Sequence, residues 1–169
     1  VMRGEGRREY VLKTLQWIVD QADFPSVEIT RIKSQSIRNE ARERLLQARE
    51  AGKIQEVVFS AQMVQLINED RLVPPSDICS LDENERIKAV ERLKECVDEA
   101  LEYPCDKLAF YSGQHPAAGL GLSGPDADSV TGEALSQLRR SIHEICEYIQ
   151  EKSNQEQPMR PVLEVFDAR

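Results

Sequence analysis

The sequence predicts an α/β protein built on a parallel sheet, and three observations support this class. Four short segments rich in β-branched and aromatic residues are predicted to be strands, at 27–32, 56–60, 107–111 and 162–166. Segments with the apolar spacing of amphipathic helices lie before and between them. Helix and strand therefore alternate along the whole chain, which is typical of βα units and not of all-β or all-α proteins.

The first two predicted helices have an apolar stripe and a clear end. The first spans residues 8–21, and Phe24-Pro25 stops it before the first strand. The second spans residues 36–50 and ends at Gly52, a natural C-cap. Four residues of this second helix are predicted to face inward: Ile37, Ala41, Leu45 and Ala48.

The third and fourth helices are predicted from a capping signal and from apolar periodicity. Ser80, with Glu83 three residues later, predicts a capping box at the start of the third helix. Its apolar stripe is Ile87, Val90, Leu93, Val97 and Leu101. The fourth helix is predicted over residues 132–152, and its stripe is Leu135, Leu138, Ile142, Ile145 and Ile149.

Composition and charge exclude several classes of function. The chain has 169 residues, with 22 Lys and Arg against 30 Asp and Glu, and its net charge of -8 argues against a nucleic-acid partner. No apolar run approaches the roughly 20 residues of a membrane span, and residues 1–9 lack the apolar core of a secretory signal. We therefore expect a cytoplasmic protein that does not contact a membrane. The four cysteines lack CxxC or zinc-finger spacing, so we expect reduced thiols.

Two carboxylates interrupt otherwise apolar strands. Glu164 lies within the segment 162–166, and Asp167 follows at its end. Glu164 is either a metal ligand or general base at the carboxyl edge of the sheet, an outward-facing side chain on a half-exposed edge strand, or a buried carboxylate paired with an arginine. Glu28 raises the same question one βα unit earlier, and there a structural salt bridge is slightly favoured.

Two long loops, 62–79 and 113–128, follow the carboxyl ends of predicted strands, where parallel α/β proteins build their sites. Gln62 could hydrogen-bond a hydroxylated ligand there, or it could cap its own turn. Arg31 and Lys33, beyond the first strand, could contact a phosphate or carboxylate, although most such charges are solvated.

A glycine motif and a histidine in the second loop are weak signals. Residues 119–124 match G-x-G-x-x-G, but loop residues separate the motif from the strand before it, and Pro125-Asp126 separates it from the next predicted helix. The motif therefore predicts a loop and not a nucleotide site. His115 could act as an acid or base, but an exposed loop histidine is the commoner finding.

Five segments taken together resemble the sugar phosphate isomerase/epimerase proteins of the xylose-isomerase-like TIM-barrel superfamily: 27–33, 59–62, 80–86, 111–113 and 163–167. The similarity spans nearly the whole chain in the same order, although each motif is short. It implies a (β/α)8 barrel of which this chain covers about half, as a single partial domain over residues 1–169. Such a chain is either a piece of a longer protein, which is favoured, or a half-barrel whose open edges a homo-oligomer or complementary fragment covers.

The resemblance also implies a chemistry. In the superfamily a divalent metal (manganese, magnesium or cobalt) is held by acidic and histidine residues, and Glu164 matches the first of these ligands and is the candidate catalytic residue. Glu28 and Gln62 match positions near the sugar pocket, and Asp167 is expected to line it. The implied reaction is metal-dependent isomerisation or epimerisation of a sugar or sugar phosphate, through an enediolate or a hydride shift.

Two alternatives stay open. A zinc-dependent apurinic-site endonuclease belongs to the same superfamily, but the acidic balance and the scarcity of histidines count against it. A non-catalytic α/β module that binds a protein partner would require no metal, and no effect of Glu164→Gln is then expected. The Asp, His and Glu that the family carries on later strands have no counterpart in these 169 residues.

Overall fold

A computed structural model of the chain contains one sheet of four parallel strands, and it describes residues 5–21, 24–66, 76–113, 121, 123–153 and 158–165. The strands are β1 Ser26–Thr30, β2 Glu56–Ser60, β3 Lys107–Tyr111 and β4 Arg160–Glu164. The described helices are α1 Glu5–Gln21, α2 Gln35–Glu50, α3 Gln62–Leu66, α4 Glu83–Leu101 and α5 Pro125–Lys152.

The strand order determines how the helices are arranged. Strands adjacent in the chain are adjacent in the sheet, in the order β1-β2-β3-β4, and every pair is parallel. Right-handed crossovers that all advance in the same direction place their helices on one face of the sheet. This singly wound order is that of a (β/α)8 barrel over half its strands. The predicted class, α/β with four parallel strands alternating with helices, is confirmed.

The hydrophobic core lies between the helices and one face of the sheet. Alternate strand residues point into it, and the fully buried ones are Val57, Phe59, Leu108 and Phe110. The inward residues predicted for α2 are all buried, which confirms the pattern read from the sequence. Each large side chain of this kind contributes about 1.5–3 kcal/mol through its removal from water. None of the described helices is long and apolar enough to cross a bilayer.

The outer strands differ from their predicted bounds. β1 ends at Thr30 and not at Ile32, because its ladder ends where β2 ends at Ser60. The Thr30 hydroxyl closes this ladder by donating to the Ser60 carbonyl at 3.0 Å. β4 begins at Arg160, whose amide donates to the Asp106 carbonyl at 2.9 Å, and it ends at Glu164.

The capping box predicted for α4 is wrong. The helix begins at Glu83, and its N-cap is Asp82, whose side chain accepts hydrogen bonds from the amides of Asn84 and Glu85 at 2.8 and 3.3 Å. Ser80 instead accepts a hydrogen bond from the Asp82 amide at 3.2 Å. The Asp82 carboxylate stands at the first free amides of the helix, where an acceptor is most favourable.

Two predicted apolar stripes are correct except at their first residue, because Val90, Leu93 and Val97 of α4 and Ile145 and Ile149 of α5 are buried, and Leu101, Leu138 and Ile142 are partly buried against the core. α5 begins at Pro125, well before residue 132, and its buried positions are Ala134, Ser141, Ile145 and Ile149. Leu135, one residue from this line and thus about 100° around the helix, is 59% exposed. Ile87 on α4 is 44% exposed for the same reason, since the adjacent Arg86 is the residue that points inward.

Arg86 joins α4 to α5 through a buried ion-pair network that the sequence did not indicate. Its guanidinium is 2% exposed and donates to Glu83, to the Ser141 hydroxyl at 3.0 Å and to Glu144 at 2.9 Å. Arg140, which is 55% exposed, also contacts Glu83. The hydrogen bonds from Arg86, with those from Arg140, lower the pKa of the Glu83 carboxyl to about 2.

Candidate functional site

The sheet has a second face, opposite the core, which the described helices do not cover. No residue of this face belongs to the core cluster. Parallel register places its side chains in rows across the four strands. One row consists of Glu28, Val58, Lys107 and Arg160, the next of Thr30, Ser60, Ala109 and Val162. We call this surface the open face.

The carboxyl ends of the strands are tied together in pairs at the top of the open face. Thr30 bonds to Ser60 as described above, and the Ser60 hydroxyl donates to Gln62 Oε1 at 3.1 Å. On the other side, the Ser112 amide donates to the Glu164 carbonyl at 3.0 Å. Polar groups from all four strands therefore meet along one edge, where α/β proteins bind their ligands.

Helix α3, which lies in a predicted loop, is held to β3 by Gln65. The Gln65 amide accepts from the Tyr111 backbone N–H at 2.7 Å and donates to the Tyr111 carbonyl at 3.2 Å. Gln65 is 1% exposed, so both atoms of its amide are satisfied in a dry environment. This pair of bonds fixes the position of α3, and with it the side chain of Gln62 at its first residue.

Gln62 is only partly satisfied. Its side chain is 8% exposed, and its Nε2 is buried without a hydrogen-bond partner among the described residues, although its Oε1 accepts from Ser60. Buried amide donors are nearly always paired, and leaving one unpaired costs about 1–3 kcal/mol. The unused donor stands at the carboxyl edge of β2, where a ligand oxygen would satisfy it.

The end of β3 packs against the turn that precedes α4. Gly113 has a φ of +106°, and a Cβ there would overlap Asp77 Oδ1 and stand 2.7 Å from Cys79 Sγ. Asp77 Oδ1 in turn accepts from the amide and the thiol of Cys79, each at 3.0 Å. Burial, with the Asp77 carboxylate, raises the pKa of the Cys79 thiol to about 12. Cys79 is therefore a neutral structural thiol and not a nucleophile.

The structure places the predicted carboxylates on opposite sides of the open face. Glu164 is exposed on β4 and pairs in register with Tyr111, which places it on the open face at the carboxyl end of its strand. Glu28 is exposed on β1, three strands away from Glu164 and two rows closer to the amino ends of the strands. The salt bridge favoured for Glu28 is not found with any described residue. Asp167 lies outside the described residues.

Arg31 is part of the scaffold and does not provide a phosphate contact. Its Nε donates to Glu99 Oε2 at 2.6 Å, and the backbone amide of Ile32 donates to the other carboxylate oxygen at 3.2 Å. The Glu99 side chain is 6% exposed. Sequence reasoning missed Glu99, although a glutamate at an inward position of an amphipathic helix is a usable signal for a buried ion pair.

The loop motif is also corrected by the structure. Gly124, the last glycine of the G-x-G-x-x-G match, is the N-cap of α5. The prediction that Pro125-Asp126 separates the motif from that helix is therefore wrong, because both residues lie in its first turn. The first turn of α5 carries Asp126 and Asp128, which disfavour an anion at the helix N-terminus. His115 lies outside the described residues.

The implied metal site is incomplete in the part of the chain that the structure describes. No three His, Cys, Asp or Glu side chains converge there in a way that could hold an ion. Glu164 provides one carboxylate on an exposed strand. Glu164 is thus one candidate ligand, and the rest of a ligand set is not found among the described residues.

Comparison with known proteins adds little. No protein-family model and no curated protein matches the chain. A solved structure with partial likeness is the xylose isomerase domain protein from Planctomyces limnophilus, at 16% sequence identity and a TM-score of 0.42, over 88% of this chain. This chain spans 57% of that protein's length. A likeness of this degree assigns neither an activity nor a substrate.

Proposed function

We propose that this chain carries part of the site of a sugar isomerase or epimerase, at the carboxyl ends of its four strands. The observation that carries the proposal is the buried Nε2 of Gln62, which has no hydrogen-bond partner in the described part of the chain. A carbonyl or hydroxyl oxygen of a sugar is the kind of acceptor that would satisfy this donor without introducing a charge. The resemblance of the strand-end motifs to the isomerase/epimerase family supports the same ligand class.

The neighbouring groups suit a polyhydroxylated ligand. Thr30 and Ser60 place hydroxyl groups along the same edge; their hydrogens are donated to the Ser60 carbonyl and to Gln62 Oε1, and their oxygens can accept from a ligand hydroxyl. Glu28, one row below Thr30, and Asp167, just beyond β4, are proposed as further pocket residues. Arg31 is occupied by Glu99, so it does not contribute an anion site.

Glu164 is the proposed catalytic residue. A carboxylate at the carboxyl edge can accept a proton from a carbon next to a carbonyl, which is the step that starts an enediolate mechanism. A divalent metal (manganese, magnesium or cobalt) would supply carbonyl polarisation in such a reaction, with Glu164 as one ligand. Its other ligands would lie outside the described residues, so the roles assigned here are limited to ligand binding and proton transfer.

Gln62 and Gln65 form a matched pair for testing the binding site. The measurement is titration calorimetry against a panel of aldoses, ketoses and their phosphates. We expect Gln62→Met to weaken sugar binding at least tenfold, the equivalent of about 1.4 kcal/mol, while the urea midpoint changes little. Gln65→Met removes two satisfied bonds and should lower the midpoint instead.

Two results would contradict the proposal. One is a wild-type protein that binds no sugar of the panel, and the other is unchanged sugar binding in Gln62→Met. For catalysis, Glu164→Gln should abolish isomerisation with the fold intact, because it removes a charge at constant volume. Full activity in that variant would end the assignment of Glu164, whereas a protein without isomerase activity or sugar affinity would favour the protein-binding module.

A further inference from the structure

Two carboxylates stand on adjacent strand ends at the carboxyl edge of the sheet. Glu164 is the last residue of β4, and Asp77 lies against the end of β3, where a Cβ on Gly113 would overlap its Oδ1. Ser112, the residue before Gly113, donates its amide to the Glu164 carbonyl at 3.0 Å. Glu164 is exposed, Asp77 is half-buried, and neither forms an ion pair with a described residue. A ligand bound at this edge therefore meets two carboxylates that no described cation offsets.

Asp77 is fixed in place by neutral groups. Its Oδ1 accepts from the amide and the thiol of Cys79, each at 3.0 Å. The amide of the preceding residue, Ser76, donates to the Gln65 carbonyl at 2.9 Å, which joins this turn to α3. Within the described chain, Oδ2 accepts no hydrogen bond. These contacts orient the carboxylate, but none of them supplies a positive charge to balance it.

The helices that follow β2 and β3 have acids of their own at their N-termini. A helix N-terminus is the usual place where an α/β protein binds a phosphate. In α4 the Asp82 carboxylate accepts from two amides of the first turn. In α5 the first turn contains a proline, Pro125, which has no amide N–H, and two aspartates, Asp126 and Asp128. A phosphate at either helix would therefore meet carboxylates and fewer free amides.

The region between β1 and α2 is occupied by a carboxylate from another helix. The first turn of α2 has no acidic residue, but Glu99 of α4 reaches the segment just before it and accepts from the Ile32 amide at 3.2 Å. The same carboxylate, which is 6% exposed, pairs with Arg31 at 2.6 Å, and Glu95 lies 3.7 Å from this guanidinium. Lys33 is not free either. The cations that follow β1 are thus already engaged by the protein.

The long loops of this edge add to the negative charge. Segments 62–79 and 113–128 together contain five aspartates and glutamates against a single arginine, Arg71. The buried donor in this region, Nε2 of Gln62, is an uncharged amide. Such a donor suits a hydroxyl or carbonyl oxygen, whereas a desolvated phosphate requires charge-assisted donors.

We infer that the part of the site formed by β1, β2 and β3 binds the uncharged, hydroxyl-bearing part of a sugar, and that this chain prefers a sugar to its phosphate ester. The inference rests on the proposed function and specifies its substrate class, which the family resemblance leaves open between a sugar and a sugar phosphate. Asp77 and Glu164 are the residues that set this preference, because they repel an anionic ligand and accept hydrogen bonds from a neutral one.

Titration calorimetry of the full chain tests the preference. The probes are ribose, xylose, glucose and fructose, each compared with its own monophosphate. For the sugar that binds best, we expect the dissociation constant of the monophosphate to be about tenfold higher or more. High salt should reduce this ratio, because it screens the repulsion between the phosphate and the carboxylates.

Two charge-removing variants identify the carboxylates responsible. Asp77→Asn keeps an oxygen for the Cys79 amide, and Glu164→Gln changes an exposed strand position, so each removes a charge at nearly constant volume. Each should lower the ratio of the two dissociation constants roughly threefold or more. The control is Glu50→Gln, the same charge change at an exposed residue that ends α2, and it should leave the ratio unchanged.

The outcomes separate this inference from the proposed function. Equal or tighter binding of the monophosphates overturns the inference and leaves the proposed function standing. A ratio that neither Asp77→Asn nor Glu164→Gln changes also overturns it. A chain that binds neither form of any sugar contradicts the proposed function, and this inference fails with it. Far-UV circular dichroism checks that the variants fold, and Glu164→Gln decides the result if Asp77→Asn does not.

Discussion

Gly113→Ala tests how the site is assembled, because Gly113 is where β3 meets the turn before α4. The residue has a φ of +106°, a backbone conformation that side-chain-bearing residues rarely adopt. The added methyl would also overlap Asp77 Oδ1 and stand 2.7 Å from Cys79 Sγ. The substitution therefore combines a conformational cost with a steric one.

Gly52 separates these two costs. It follows α2 with a φ of +70°, but a Cβ there would meet nothing within 4 Å. Gly52→Ala should cost only the conformational part, about 1–2 kcal/mol. At Gly113 overpacking adds about 1–3 kcal/mol, and displacement of the Asp77 acceptor from the Cys79 amide adds about 1 kcal/mol. We therefore expect a total loss of about 3–6 kcal/mol for Gly113→Ala.

Urea unfolding followed by far-UV circular dichroism gives the free energy of unfolding of each variant. Tryptophan fluorescence is unsuitable, because the single tryptophan, Trp17, is exposed on α1, far along the chain from the substitution. Equal losses in Gly113→Ala and Gly52→Ala would refute the close packing of the turn on β3. Adding Asp77→Ala to Gly113→Ala removes the worst overlap and should recover part of the loss, a coupling that two independent sites would not show.

Three further predictions concern the scaffold. Arg86→Met should lower the free energy of unfolding by about 3 kcal/mol, because it leaves the partners of this buried guanidinium without their cation. The control Arg140→Met, at an exposed arginine, should lower it by less than about 1 kcal/mol. Similar losses in the two variants would contradict the burial of the network. Arg86 lowers the pKa of the Glu83 carboxyl from 4.5 to about 2. The ionised Glu83 therefore stabilises the fold above pH 4.5, and this contribution is lost as the pH falls towards 2. The urea midpoints of Glu83→Gln and wild type should converge over that pH range. Ellman's reagent should label the half-buried Cys146 first. Burial raises the pKa of three other thiols to about 12, those of Cys79, Cys96 and Cys105, so they react more slowly.

Much of the fold could be predicted from local patterns. The bounds of β2 and β3 agree with the prediction, because runs of β-branched and aromatic residues between polar turns specify a strand within a few residues. The inward face of α2 was predicted for the same kind of reason, since its apolar spacing is regular over the whole helix. Parallel pairing followed from the alternation of helix and strand.

The N-cap of α4 and the buried positions of α4 and α5 depend on tertiary contacts. Ser80 and Asp82 both carry a capping oxygen, and only the position of the free helix amides selects Asp82. Ile87 and Leu135, the first residues of the two predicted stripes, are exposed because the neighbouring residues Arg86 and Ala134 are the ones that pack inward. An arginine is not expected at a buried helix position, and only the contacts of Arg86 with Ser141 and Glu144 on α5 explain its burial.

The candidate site shows the same division. Gln62 could be singled out from the sequence because an amide after a strand lies at the ligand-binding edge of a parallel sheet. Only the tertiary structure distinguishes Gln62 from Gln65: the backbone of Tyr111 satisfies one amide and leaves the other with an unused donor. Likewise, the sequence allowed Arg31 to contact an anionic ligand, and only the structure shows that it pairs with Glu99, 68 residues away.

The sequence by itself determined the elements, their alternation and the edge of the sheet where polar residues collect, because these follow from spacing along the chain. The tertiary structure decided which polar groups of the described residues are paired and which charged side chains are buried. Those outcomes depend on contacts between residues far apart in sequence, and the desolvation that makes an unpaired donor or charge costly exists only once the surrounding elements have packed.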